Sequence, residues 1–139
     1  MPMPQEYFQA SRDFERYMAD LKSISLLATH HQCYAMTRAV LHVFRSHLPV
    51  VDALVFADVL PPVLRAIFVE DWDASQPVTP FSDRETLTRE VRTVRANHNI
   101  SPESAIADVA AAVRKNIDPQ DWQIALDRLA ADARSFWEI

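Results

Sequence analysis

The side chains best suited to metal or covalent chemistry are five histidines, His30, His31, His42, His47 and His98, and a lone cysteine, Cys33. Two histidines that ligate zinc from one helix face stand four residues apart, and no pair here has that spacing. His30 and Cys33 are three apart and could share a zinc, but two further ligands would have to come from elsewhere. Cys33 near a helix N-terminus has the setting that lowers a thiol pKa, yet a single cysteine in an apolar helix packs more often as a small hydrophobe. Glu70, Asp71 and Asp73 surround Trp72 without the spaced oxygens and turn glycine of a calcium loop, and read as a solvated acidic corner. Arg89, Arg92 and Arg95 recur every three residues as a narrow basic strip that could meet phosphates. Glu85 is placed to pair with Arg89, and the formal net charge is -5. These patterns lead us to expect no catalytic residue, no metal and no cofactor.

The elements that must carry these groups are helices. The sequence has 139 residues, enough for one domain with a substantial core, and 49% of them are hydrophobic. It contains no glycine at all. Phosphate-cradling loops and dinucleotide fingerprints need glycine, so both are excluded. Tight hairpins also depend on its positive φ, which makes a β-protein of this size hard to build. One cysteine rules out an internal disulfide and suits a cytoplasmic setting. The opening residues lack a signal-peptide pattern, and the apolar run Val50–Val69 is broken by Asp52, Asp58, Pro61, Pro62 and Arg65, so no membrane span is expected.

Spacing predicts about eight helices. The first covers residues 5–27, with Tyr7, Phe14, Met18, Leu21 and Ala28 on one stripe. Thr29 and Gln32 form a capping box for the next. Val50 to Val59, almost wholly apolar, should be the most buried element. Leu60-Pro61-Pro62 starts a helix through residue 70, and Trp72 to Pro80 is a connection within the domain. Ser82 and Glu85 cap a helix through about residue 96, with Leu87, Val91 and Val94 inward. Asn97 and Asn99 are candidates for left-handed positions. Ser101-Pro102 and Asp118-Pro119 open the last segments, which carry Phe136 and Trp137.

Residues 37–70 and 106–139 align without a gap at a constant offset. Val40/Val109, Arg45/Arg114, Asp52/Asp121, Asp58/Asp127, Leu60/Leu129 and Arg65/Arg134 are identical. Phe44/Val113, Leu48/Ile117, Val55/Ile124, Ile67/Phe136 and Phe68/Trp137 keep apolar character and should point inward. The pattern is that of an all-α, compact bundle of two pseudo-repeated halves, about 1–75 and 76–139, forming one domain without a sheet. The repeated Asp and Arg residues read as interhelical ion pairs or helix-end charges.

Thr37-Arg38-Ala39-Val40-Leu41, then Leu60-Pro61-Pro62-Val63-Leu64-Arg65, then the aromatic and acidic stretch Phe68 to Asp73, resemble a bacterial family catalogued as domain of unknown function 2267. The back half departs from that pattern, with Leu129-Ala130-Ala131 where a second proline corner would fall. The resemblance implies a duplicated all-helical fold and no particular activity. The leading expectation is a non-enzymatic module that binds a partner protein or its own copy through Phe68, Trp72, Pro61 and Pro62. One alternative is a small anionic-ligand binder or enzyme with a pocket between the halves, lined by Arg45, Arg114, Arg65 or Arg134. The other is a weak nucleic-acid binder using Arg89, Arg92 and Arg95.

Overall fold

The computed structural model describes residues 3–27, 29–94 and 103–138. Nine α-helices and no strand occur among them: α1 Gln5–Phe8, α2 Ala10–Ser25, α3 His30–Ser46, α4 Val50–Val59, α5 Pro62–Val69, α6 Arg84–Val94, α7 Ala105–Lys115, α8 Pro119–Asp127 and α9 Ala131–Trp137. The count exceeds the expected eight because the first segment is broken at Gln9, leaving α1 and α2 as separate helices. Tyr7 is exposed on α1, so the inward stripe begins at Phe14. Ala28, Arg95, Asn97, His98, Asn99, Ser101 and Pro102 lie outside the described residues.

Local chemistry sets several helix starts. Thr29 Oγ1 accepts from Gln32 N at 3.1 Å while Gln32 Oε1 accepts from Thr29 N at 3.1 Å, completing the expected capping box of α3. Asp118 caps α8 by accepting from Gln120 N and Asp121 N, and Pro119 occupies the first turn, where its missing N–H costs nothing. For α6 the cap is Asp83, whose Oδ1 accepts from Thr86 N at 2.7 Å, and not Ser82. Without glycine, left-handed backbone falls on Leu26 (φ 61°) and Asp71 (φ 53°) among the described residues. Aspartate tolerates that region through local hydrogen bonding, whereas for leucine it carries a cost on the order of 1–2 kcal/mol.

The core gathers around α3 and α7. Helix α2 packs on α7, α6 packs on α3, and α4 lies against α8. Phe44 sits at the centre, its ring 4.7 Å from Phe56, 4.9 Å from Phe136 and 5.1 Å from Trp137. Trp137 stacks on Phe56 at 5.3 Å and meets Trp122 edge-on at 5.7 Å. Small residues of α7, Ala105, Ala110 and Ala112, are fully buried and let neighbouring helices approach closely. Tyr17 of α2 reaches Thr37 of α3 at 2.7 Å. The one Thr37 hydroxyl proton goes to the Cys33 carbonyl, so Tyr17 is the donor and this buried polar chain is satisfied.

Helices α3, α4 and α5 and helices α7, α8 and α9 keep the same order, with matching starts for the last two pairs: Val50 and Pro119, then Pro62 and Ala131. Two expectations fail in this region. α4 is not the most buried element: only Ala53, Phe56 and Ala57 are buried, and Val50, Val51 and Leu54 are exposed. Nor do Val55 and Ile124 both point inward, since Val55 is half-buried and Ile124 is exposed. The core meets α4 on the face that carries Ala53, Phe56 and Ala57, so its other apolar residues stay at the surface whatever its composition. On α6, Leu87 and Val91 are buried, but Val94 near its end is exposed.

Candidate functional site

The densest polar arrangement lies where α3 meets the end of α5. Tyr34, Arg38 and His42 recur every four residues and so form one stripe along α3. Tyr34 OH donates to Glu70 at 2.9 Å, and Arg38 reaches Glu70 and Asp71, each at 3.2 Å. His42 Nε2 lies 2.8 Å from the Ile67 carbonyl. Arg45 donates to the Phe68 carbonyl at 2.8 Å and the Glu70 carbonyl at 2.7 Å, with its guanidinium over the Trp72 ring at 5.4 Å. The C-terminal carbonyls of a helix carry partial negative charge and need donors, which this arginine supplies. Sequence reasoning missed Tyr34, Arg38 and His42 as a unit. Their four-residue spacing was the available signal, but nothing in the sequence said that Glu70 lies opposite.

Burial pushes the His42 imidazole down to about 4, against a weaker upward pull from its bond to Ile67; Arg45 and Arg38 lower it further and Glu70 raises it. His42 is therefore neutral near pH 7. A carbonyl can only accept, so its proton sits on Nε2 and Nδ1 is left as an acceptor. Burial likewise lowers Arg45, with Arg38 adding to the effect and Asp71 and Glu70 opposing it.

The repeated arginines are staples to the backbone and do not form the expected ion pairs with the repeated aspartates. Arg45 holds the Phe68 carbonyl, and Arg114 holds that of Trp137 at 2.6 Å. Arg65 holds the Leu60 carbonyl at 2.9 Å, and Arg134 holds that of Leu129 at 2.6 Å. Each pair joins equivalent positions of the two halves. Asp52 and Asp121 sit in the first turns of α4 and α8, where carboxylates favour the helix dipole. Asp58 and Asp127 are exposed.

Other candidates separate. His30 and His31 are exposed at the start of α3, Cys33 is fully buried, and His47 is buried between Thr79 and Glu90, with Nε2 2.8 Å from Glu90. Among the described residues no group of three or more His, Cys, Asp and Glu side chains is placed to hold a metal ion. Arg89 lies 3.8 Å from Glu85 and Arg92 4.0 Å from Glu103, so both cations have carboxylates beside them; Arg95 lies outside the described residues. Of the surface chosen from sequence, Phe68 is buried and offers a partner nothing, while Trp72, Pro61 and Pro62 are half-buried. Among the described residues no helix is long and apolar enough to cross a membrane.

Large apolar groups are exposed at several places, with Leu26 at 87% and Phe8 at 73% among them. Val51 at 73%, Leu54 at 57% and Ile124 at 54% lie on the paired helices α4 and α8. Between them runs a shallow groove of about 190 Å³, lined by Val55, Val59, Ile124 and Ala125 and rimmed by Asp58, Asp121 and Arg128.

Fold and side-chain placement together define an all-α protein whose arginines hold helix ends and whose exposed apolar residues include a group on the α4–α8 pair. The chain belongs to the family of uncharacterised conserved proteins DUF2267, whose profile matches residues 14–136. A comparison with curated proteins found no match.

Proposed function

We propose that this protein is a non-enzymatic docking module that receives a basic amphipathic helix of a partner protein on the α4–α8 face. The observation that carries the reading is the exposure of Val51, Leu54 and Ile124 on two adjacent helices. Contiguous apolar surface at a groove between helices is the usual seat of a partner helix. Charge decides the kind of partner. Asp58, Asp121 and Asp127 are exposed around the strip and Arg128 is the cation among them. A second copy would set these carboxylates against their own kind, whereas lysines or arginines flanking an apolar stripe complement them.

The same reading takes the two halves as repeated units of a tandem duplication, supported by arginine staples at equivalent positions. An anionic pocket between the halves has less support, because the four arginines hold separate backbone carbonyls and the cavity that Arg45 lines includes none of Arg114, Arg65 and Arg134. Nucleic-acid binding is weakened by the acids beside Arg89 and Arg92.

Fluorescence anisotropy with two labelled helical peptides tests the proposal, one with a leucine stripe flanked by lysines and one flanked by glutamates. The lysine peptide should bind, lose affinity with added salt, and lose it altogether to L54E/I124E, a surface variant whose fold circular dichroism can verify. Equal binding of both peptides, or an unchanged affinity of the variant, would overturn the reading. A concentration-dependent dimer in sedimentation that L54E abolishes would transfer the face to self-association.

A further inference from the structure

A cavity also lies beside the junction of α3 with the end of α5. Residues 71–78 turn back along α3 and leave a cavity of about 270 Å³ whose lining includes Arg45, His42, Trp72, Leu48, Val78 and Asp71. Arg45 is only 8% exposed, yet it lines this space. Its Nη1 is saturated by the Phe68 and Glu70 carbonyls. A guanidinium has five N–H donors in a fixed fork, so those on Nε and Nη2 remain for a ligand. No carboxylate lies within ion-pair distance of Arg45 among the described residues, although Asp71 and Glu70 act on it through space.

The mouth carries the opposite charge. Asp71 gives one oxygen, Oδ2, to Arg38 and is 75% exposed, and Asp73 also lines the cavity, its oxygens turned to Ser75 and Gln76. Leu48, Val78 and Trp72 add apolar surface to the same lining. A simple anion would suit Arg45 but meet repulsion at the rim, and a simple cation would suit the rim but meet Arg45 inside. A molecule with both charges about one carbon apart, and a short apolar group, suits all three parts.

We propose that this cavity binds a small zwitterion of the α-amino-acid type, its carboxylate on Arg45, its ammonium group at Asp71 and its side chain against Trp72. The site uses none of Val51, Leu54 and Ile124, so it stands independently of the docking face.

Two-dimensional amide NMR, following the Trp72 indole N–H, provides the test, with alanine, leucine and phenylalanine as probes. At least one should shift that signal saturably. Its two half-molecules, the acid lacking the amine and the amine lacking the acid, should each bind roughly tenfold more weakly or worse, as loss of a charge-assisted contact requires. Asp71→Asn, which keeps a residue tolerant of the left-handed backbone there, should bring the amino acid down to the level of the acid alone. Val78→Trp fills the cavity from an exposed wall position and should abolish binding with the rest of the spectrum unchanged. Silence of the Trp72 signal to all three probes would overturn the proposal, as would equal binding of the acid and the amino acid, or binding that survives Val78→Trp.

Discussion

The corner held by Arg45 and the corner held by Arg114 begin from the same device and diverge. Each arginine sits near the end of a long helix and clamps the carbonyl of an aromatic residue, Phe68 or Trp137, on a short one. In the front corner Arg45 takes a second carbonyl, Glu70 turns back to Tyr34 and Arg38, and Trp72 closes over the guanidinium. In the back corner Arg114 makes one such bond among the described residues, which exclude Ile139 at the position matching Glu70, and Trp137 goes into the aromatic centre. The position matching His42 is Ala111. A common staple thus supports a polar surface corner in one half and a hydrophobic anchor in the other.

The comparison breaks most visibly at the two clamped aromatics. Trp137→Ala should cost on the order of 5 kcal/mol by urea unfolding, the upper end for a buried aromatic, because it empties the space between Phe44, Phe56 and Trp122. Phe68→Ala, beside Phe56 and the half-buried Trp72, should cost about 3 kcal/mol. Trp137→Phe should cost less than either, since the indole N–H it removes is buried without a partner. An equal loss from the two alanine variants would mean that the corners are energetically alike after all.

The arginines come next. Arg45→Met should cost about 2–3 kcal/mol, because it orphans two carbonyls at the end of α5. Arg114→Met orphans the Trp137 carbonyl, the one it holds among the described residues, and should cost about 1 kcal/mol. Reversed order in chemical denaturation would show that the second carbonyl and the Trp72 contact contribute nothing.

A further expected effect is a dependence on pH that originates in the front corner. His42 has its pKa depressed to about 4 in the folded protein, below the value near 6.5 of an unfolded histidine. As pH falls below the unfolded value, the unfolded chain takes up the proton first, so folding stability drops through the window from about 6.5 to 4. Comparing urea midpoints at pH 7.5 and 4.5, His42→Gln should remove a loss on the order of 2 kcal/mol, allowing for partial solvent access. A variant with the same pH profile as the parent would remove His42 from that role.

Much of the fold was legible in the residues themselves. The lack of glycine, the Thr29–Gln32 and Asp118–Pro119 signals and the proline corner each act within a few residues, so local chemistry alone places those helix ends. Side-chain direction on α4 was not legible. A helix that is apolar all round reads as buried, and only its position against α8 decides that Ala53 and Phe56 face in while Val51 and Leu54 face out.

The sequence by itself determined the helical class, several of the boundaries and the identity of Arg45 with Arg114 and Arg65 with Arg134 at one offset, because periodicity, capping and identity at a fixed offset are properties of a linear chain. Tertiary structure alone decided what those arginines hold and which residues surround the cavity at Trp72. Both depend on groups 23 or more residues apart in the Arg45–Phe68 and Arg38–Glu70 contacts, brought together by packing of the whole core. No local pattern encodes such a meeting, since the free energy that enforces it comes from burying α3 and α7 among all the other helices.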